Sequence, residues 1–115
     1  MVIYDRKRRL VIAGNSGIAI RTPSDIADAL DASIGSLGLL LTERDLGSDF
    51  FDLRTTLAGE LFQKFTNYNQ RIAIVAPNPS SYGEPFAELA YEHATHPLIR
   101  VVASEAEAED WLLSY

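Results

Sequence analysis

A short polar segment near the middle of the chain carries the side chains best suited to chemistry. Two carboxylates, Asp49 and Asp52, are followed by Arg54 and by the adjacent hydroxyls of Thr55 and Thr56. Paired carboxylates suit acid–base work or metal binding, and arginine binds anions through several N–H groups. A phosphorylated threonine at a helix start acts as a charge switch. The segment therefore predicts a binding or regulatory site.

The sequence that follows predicts a long amphipathic helix over residues 52–68. Its apolar residues recur every three or four positions: Leu53, Leu57, Leu61, Phe65 and Tyr68. This spacing places them on one helical face that packs against a core. Free backbone N–H groups at the start of a helix bind anions, and Arg54, Thr55 and Thr56 would add donors around that point.

A structural interpretation of these residues stands beside the functional one. Asp49 or Asp52 can act simply as the N-cap of the helix, with the two threonines closing its first turn. Glu60 is a third candidate carboxylate, but no histidine or further metal ligand accompanies the three acids in sequence. Capping is therefore the favoured interpretation of the aspartates, and no metal site is predicted.

Gly59 lies inside the predicted helix, where glycine is about 1 kcal/mol less favourable than alanine. Such a cost is offset where the helix backbone approaches a strand or a partner closely. We therefore predict a close contact at Gly59, with packing favoured over function as its cause.

Ser80 and Tyr82 belong to a polar loop that follows a predicted strand over residues 71–76. Ligands of open α/β sheets bind beyond the carboxyl ends of the strands. Both side chains are therefore candidates for lining a pocket at the same sheet edge as Arg54. An ordinary connecting loop explains the same residues equally well.

Two histidines, His93 and His96, lie three residues apart with Glu88 and Glu92 nearby. This spacing can hold a metal on one helical face. Pro97 follows directly and ends the helix, however, so a metal is not predicted there. No serine or cysteine nucleophile is placed for either histidine, which leaves a catalytic triad without support.

The composition limits the class of protein. The chain has 115 residues, of which 47% are apolar, and a net charge of −6. These values favour one globular domain over residues 1–115 and argue against nucleic-acid binding. The chain lacks cysteine, which excludes disulfides and thiolate sites, and no run approaches the roughly 20 apolar residues of a membrane span. We expect a cytoplasmic protein with no cofactor and no membrane partner.

The order of the predicted elements indicates an α/β fold with a single mixed sheet. Residues 2–4 and 10–13 flank a charged turn and predict an opening β-hairpin, and residues 17–20 predict a third short strand. A strand buried on both faces is then predicted over residues 37–41, a second buried strand over residues 71–76, and a last strand over residues 98–103. Because helical patterns separate these strands, the later part of the sheet is expected to be parallel.

Two helix starts are predicted from capping residues. Thr22 precedes Pro23 and Asp25, which suit the first turn of a helix. Ser104 followed by Glu107 forms a capping box ahead of the final helix.

The central segment resembles a family of small bacterial proteins, domain of unknown function 4180. The family pattern is approximately DFFDLxTxxAGExxQKFxNY followed by an apolar strand, and residues 49–68 and 72–75 match it closely. The chain departs from the family at residues 76–78, where members commonly carry Gly-Asp-Phe. The resemblance implies no known activity.

The element order is also distantly similar to STAS domains, the fold of anti-sigma-factor antagonists. That resemblance implies a serine or threonine at the start of the helix after a central strand, in a DSSG pattern that is phosphorylated and contacts a protein partner. The matching region here is residues 52–56, in which Leu53 and Arg54 interrupt the pattern.

Three functions follow from these observations. The leading hypothesis is a non-enzymatic regulatory or protein-interaction module of STAS-like build, with its partner surface at the start of the helix over residues 52–68. The alternative is a small enzyme or anion-binding protein that uses the same helix start, with Ser80 and Tyr82 lining its pocket. A third is a homodimer for which the polar segment is only structural.

Overall fold

A four-stranded parallel sheet organises the part of the chain that the structure describes. The computed structural model describes residues 9–114. Within them, β1 (Leu10–Ile12), β2 (Gly38–Thr42), β3 (Ile72–Val75) and β4 (Ile99–Val102) pair in the order β1-β2-β3-β4, and each neighbouring pair is parallel. The predicted α/β class is confirmed. Residues 2–4, the first half of the predicted hairpin, lie outside the described residues.

The helices that join consecutive strands cover one face of this sheet. α2 (Pro23–Ser33), α4 (Leu57–Asn67) and α5 (Glu84–Glu92) pack on alternate strand residues. Right-handed crossovers between strands in sequential order place all connecting helices on the same side. The core they enclose includes Leu39, Leu41, Ile72, Ile74, Ile99, Leu61, Phe65 and Phe86, all of them fully buried or nearly so.

The final helix, α6 (Glu105–Leu113), covers the opposite face. Ala108 and Leu112 pack there against Leu40 and Ala73. Arg71, which is buried, donates from Nη1 to the carbonyl oxygen of Leu112 at 3.1 Å and from Nη2 to that of Trp111 at 2.7 Å. A guanidinium on these last carbonyls satisfies acceptors that a helix end leaves free. Arg71 thereby fixes the end of α6 to the start of β3.

The two predicted helix starts are present. Asp25 Oδ2 accepts hydrogen bonds from the backbone N–H groups of Arg21 and Thr22 at the start of α2. Ser104 Oγ accepts from the N–H of Glu107 at 3.2 Å, and the Glu107 carboxylate accepts from the N–H of Ala103 at 3.1 Å. Local capping chemistry thus defines both boundaries.

The predicted helix over residues 52–68 is wrong in its first turn. The structure instead has α3 (Ser48–Phe51), a 3₁₀ turn (Leu53–Thr55) and then α4, which begins at Leu57. Asp52 caps the 3₁₀ turn by accepting from the N–H of Arg54, and Thr56 has a left-handed backbone with φ of 64°. A non-glycine residue in that conformation ends one helical segment before the next starts.

The predicted strand over residues 17–20 is also wrong. A short helix, α1 (Ala13–Ser16), follows β1 and ends at Gly17, whose φ is 70°. Only Ile20 makes a bridge, in parallel to Leu46. The apolar residues of this segment therefore fill the core as a loop and do not add a sheet strand.

The predicted close packing at Gly59 is likewise wrong. A Cβ placed on Gly59 would have no neighbour within 4 Å apart from the helix itself, and the residue is exposed.

No helix within residues 9–114 has both the length and the apolar character that a membrane crossing requires.

The glycines at 38 and 59 give a matched test of this packing. A Cβ at Gly38 would lie 3.0 Å from the Arg71 carbonyl oxygen and would overlap Leu112. We expect Gly38→Ala to lower the free energy of unfolding by about 2 kcal/mol, through overpacking. Gly59→Ala should raise it by about 0.5–1 kcal/mol, because alanine is the better helix former and has free space. Urea unfolding measures both, and equal effects of the two changes would contradict this packing.

Candidate functional site

The segment singled out by its chemistry folds into a tight turn closed by an ion pair. Arg54 donates from Nε to Asp52 Oδ1 at 3.0 Å and from Nη2 to Asp52 Oδ2 at 2.9 Å, and its backbone N–H also reaches Oδ1 at 3.1 Å. Asp52 is the N-cap of the 3₁₀ turn, so its carboxylate lies beside both the backbone N–H and the side chain of Arg54. Asp52 and Arg54 thus form one bidentate unit on the surface.

The ion pair fixes the charge state of both groups. The side-chain hydrogen bonds of Arg54 are the main reason that the pKa of Asp52 lies below its usual value of 3.8, and the Arg54 backbone N–H adds to the effect. The same contacts raise the pKa of Arg54. A carboxylate with a lowered pKa is a poor proton acceptor near neutral pH, where general bases need a pKa close to the operating value.

The two threonines are both exposed but differ in the hydrogen bonds of their hydroxyls. Thr55 Oγ1 lies 2.6 Å from the Asp49 carbonyl oxygen and 2.8 Å from that of Asp52, so its hydroxyl hydrogen is engaged within the turn. Thr56 is exposed, and its hydroxyl makes no hydrogen bond to any described residue. Glu60 is also exposed, one turn into α4, where its N–H bonds to the Thr56 carbonyl oxygen at 2.9 Å. The polar segment therefore faces outward, as the leading hypothesis requires.

An open apolar depression lies beside the ion pair. We call it the Phe51–Tyr82 groove; its volume is about 490 Å³, and its lining residues are Ser48, Phe51, Asp52, Leu53, Arg54, Tyr82 and Pro85. The rings of Phe51 and Tyr82 stack at 3.7 Å with an interplanar angle of 6°. Phe86 packs edge-on beneath both rings. A rigid aromatic wall thus faces the charged rim formed by Asp52 and Arg54.

The structure brings only part of the predicted site together. Asp52, Arg54 and Tyr82 share the groove. Asp49 is exposed on α3 and lines a separate cavity of about 160 Å³ beside Arg21. Ser80 bonds to the Asn78 side chain at 2.9 Å and lines another depression, at the edge of β4.

Phe51, Leu53 and Pro85 form most of the apolar wall of the groove but lie outside the site that the sequence predicts. Their apolar character makes them resemble core positions, and Phe51 and Leu53 do pack partly against the core. Asp45, which is 8% exposed in the 3₁₀ turn after β2, also lies outside the predicted site. Asp45 follows Thr42 by three residues, which is the spacing of a capping box, and this spacing is the sequence feature that indicates a bonded Asp45 side chain.

The histidine pair, His93 and His96, lies at the turn that precedes β4, and His96 stabilises that turn. His96 Nδ1 accepts hydrogen bonds from the N–H groups of Leu98 and Ile99, each at 3.0 Å. His93 Nδ1 lies 2.8 Å from the Leu89 carbonyl oxygen, and the two rings are 5.2 Å apart. Among residues 9–114, no three histidine or acidic side chains are grouped to hold a metal.

Comparison with known proteins identifies the family. The profile of a family described as domain of unknown function (DUF4180) matches residues 5–112. The chain belongs to the DUF4180 family. The resemblance drawn from residues 49–68 is thereby confirmed, and in this DUF4180 protein that motif supplies α3, the ion-paired turn and α4.

No curated protein matches the chain. No solved structure matches it either, so the STAS-like build of this DUF4180 domain stays a prediction.

Removal of the arginine tests the ion pair. In Arg54→Gln we expect the pKa of Asp52 to rise toward 3.8, because the charged hydrogen bonds that favour the carboxylate are lost. Carboxyl-carbon NMR over an acid titration measures it directly. Arg44→Gln is the control, since Arg44 is exposed elsewhere. An Asp52 pKa that stays low in Arg54→Gln would show that another group holds it.

The His96 contacts predict a pH dependence of stability. Burial, then His93 and Arg100, keep the pKa of His96 below 6.5 in the folded protein. The unfolded chain therefore takes up this proton first as the pH falls. The contribution of the neutral His96 ring to the free energy of unfolding is therefore complete above pH 6.5. It is lost as the pH drops from there through the pKa of His96 in the folded protein.

Urea unfolding about one pH unit above and below 6.5 measures this effect. The drop in the free energy of unfolding should shrink in His96→Gln, which does not titrate. His93→Gln should keep the part of the drop that the burial of His96 causes and lose the smaller part that His93 contributes. Identical pH dependence in His96→Gln and the wild type would assign the effect to other groups.

Proposed function

We propose that this DUF4180 protein is a non-enzymatic interaction module that binds a protein partner at the Phe51–Tyr82 groove. The observation that carries the proposal is the stacked and partly buried aromatic pair, Phe51 and Tyr82, that lines the groove beside a bidentate ion pair. Protein interfaces commonly have an aromatic and apolar centre with a polar rim, and rigid aromatic side chains contribute much of their binding energy. The groove has this arrangement within one surface.

Binding is favoured over catalysis by the state of the groove's polar groups. Asp52 is held as a carboxylate by Arg54, and its lowered pKa makes it a weak base. The Thr55 hydroxyl is engaged by two carbonyl oxygens of its own turn. The groove therefore offers contact area and fixed charge, and neither an activated nucleophile nor a tuned base.

The chemistry of the groove defines the partner segment. An apolar or aromatic side chain suits the space between Leu53, Pro85 and the Phe51–Tyr82 stack. Arg54 is 91% exposed in its side chain, and its Nη1 donates to no described residue. A carboxylate or carbonyl on the partner can accept from it. We expect a short peptide segment with one apolar anchor and one nearby acceptor.

Anion binding remains the second candidate, and Arg54 is the observation in its favour. An anion would have to share the guanidinium with Asp52, which already holds two of its nitrogens. Regulation by phosphorylation is a related hypothesis, because Thr56 has an exposed hydroxyl at the end of the same turn. Peptide binding at the groove requires neither an anion on Arg54 nor a modified Thr56.

Selection from a random displayed-peptide library tests the proposal. We expect enriched peptides to share an apolar anchor, and to bind Leu53→Asp and Pro85→Glu at least about tenfold more weakly by fluorescence polarisation. Pro85 is exposed in the first turn of α5, where an acidic residue is well tolerated, so this variant should fold even if Leu53→Asp does not. Arg54→Ala should weaken binding less, because it leaves the apolar wall intact.

The control is Ile34→Asp, which places the same charge on another apolar residue, 55% exposed, outside the groove. Its peptide affinity should equal that of the wild type. Peptides that bind all four variants equally would contradict the groove as the partner site. A chemical-shift response of residues 52–56 to phosphate, with no peptide selected, would favour the anion site instead.

A further inference from the structure

A second site lies beyond the carboxyl ends of β1 and β2, formed by residues that the Phe51–Tyr82 groove does not use. It is a cavity of about 370 Å³ that we call the Asp45 cavity. Polar side chains supply much of its wall: Asn15, Thr42, Arg44, Asp45 and Glu105. Open α/β sheets bind their ligands beyond the carboxyl ends of their strands, so the location is that of a binding site.

Asp45 is the buried polar group of this cavity. It is 8% exposed, and its Oδ2 accepts from the Thr42 N–H at 2.8 Å and from the Thr42 hydroxyl at 3.0 Å. These contacts hold the side chain in one orientation. No described residue donates a hydrogen bond to its other oxygen, Oδ1. Oδ1 remains accessible at the surface of the cavity, so it is an oriented acceptor that a ligand can reach.

Gly14 keeps the approach to Oδ1 open. A Cβ at position 14 would lie 3.7 Å from Asp45 Oδ1 and would have no other neighbour within 4 Å. Glycine therefore leaves free a space at this oxygen that any side chain would narrow. The space is at the cavity wall, since Gly14 and Asp45 both line it.

The charges around the cavity favour a cationic group on the ligand. Asp45 and Glu105 contribute two carboxylates, and the exposed Arg44 contributes one cation. The whole chain carries a net charge of −6, which draws cations toward it. A metal ion is not favoured, because within residues 9–114 no third histidine or acidic side chain joins the two acids.

We propose that the Asp45 cavity binds a small organic molecule through its primary ammonium group, with Asp45 Oδ1 and the Glu105 carboxylate as acceptors. An ammonium has three N–H donors and can serve both carboxylates at once. Two sources of this group fit. A free amino acid would place its own carboxylate near Arg44, whereas an aliphatic diamine would leave Arg44 without a partner. This function is independent of peptide binding at the groove.

A ligand screen on the full chain tests the proposal. Thermal unfolding is followed in the presence of single amino acids and, in a second arm, of aliphatic diamines such as putrescine, because a ligand of the native state raises the midpoint. Each compound that raises the midpoint is then titrated into ¹⁵N-labelled protein. We expect the backbone amide peaks of Gly14, Asn15 and Asp45 to shift together.

Two variants then assign the binding to the cavity. Gly14→Ala should weaken binding by about tenfold or more, because its methyl group narrows the approach to Oδ1 without backbone strain. Glu105→Gln removes one acceptor charge at an exposed position and should weaken binding as well. The matched control is Gly59→Ala, which adds the same methyl group to a helix with free space around it.

The outcomes are distinct. If only amino acids bind, Arg44 contacts the ligand carboxylate. If only diamines bind, a carboxylate of the cavity contacts the second ammonium. Either result supports the proposal. Absence of binding in both arms at about 10 mM overturns it. Binding that survives unchanged in both Gly14→Ala and Glu105→Gln also overturns it. Because no peptide is used, none of these results depends on the function of the groove.

Discussion

Burial of both faces of the parallel sheet is the constraint on which the rest of the structure depends. The strands β2 and β3 are buried along almost their whole length. Connections between strands in sequential order cover only one face, so the second face needs a separate element. The final helix fills this role, and the buried Arg71 holds its last carbonyls in place. Gly38 makes the close approach of Leu112 and the Arg71 backbone possible.

This arrangement leaves the connection from β2 to α4 to carry function. The segment over residues 43–56 folds as three short helical pieces: a 3₁₀ turn (Glu43–Asp45), α3 and the 3₁₀ turn over Leu53–Thr55. It contains Asp45, at the cavity beyond the strand ends, and the Asp52–Arg54 pair, at the groove. Loops held on a rigid α/β frame are common places for binding residues. Here one connection contributes to two separate surfaces.

Two of the wrong predictions, the first turn of the helix over residues 52–68 and the strand over residues 17–20, share one physical cause. Spacing of apolar residues reports which side chains face the core, and Leu53 does pack partly against it. Spacing does not report whether the backbone between two such residues is continuous. A single left-handed residue, Thr56, separates Leu53 from the helix that its spacing appeared to extend. The same limit applies to residues 17–20, where apolar character predicts a strand but only Ile20 bridges to another segment.

The sequence by itself determined the α/β class, the buried strands and the starts of α2 and α6, because those depend on local apolar runs and on caps within four residues. It also determined that a polar cluster follows the second described strand. Only the tertiary structure decided that Tyr82 stacks on Phe51 beside Arg54, and that Gly14 leaves Asp45 open to a cavity. Contacts between residues about thirty positions apart depend on how the crossovers place distant segments at one sheet edge, and no local pattern encodes that placement.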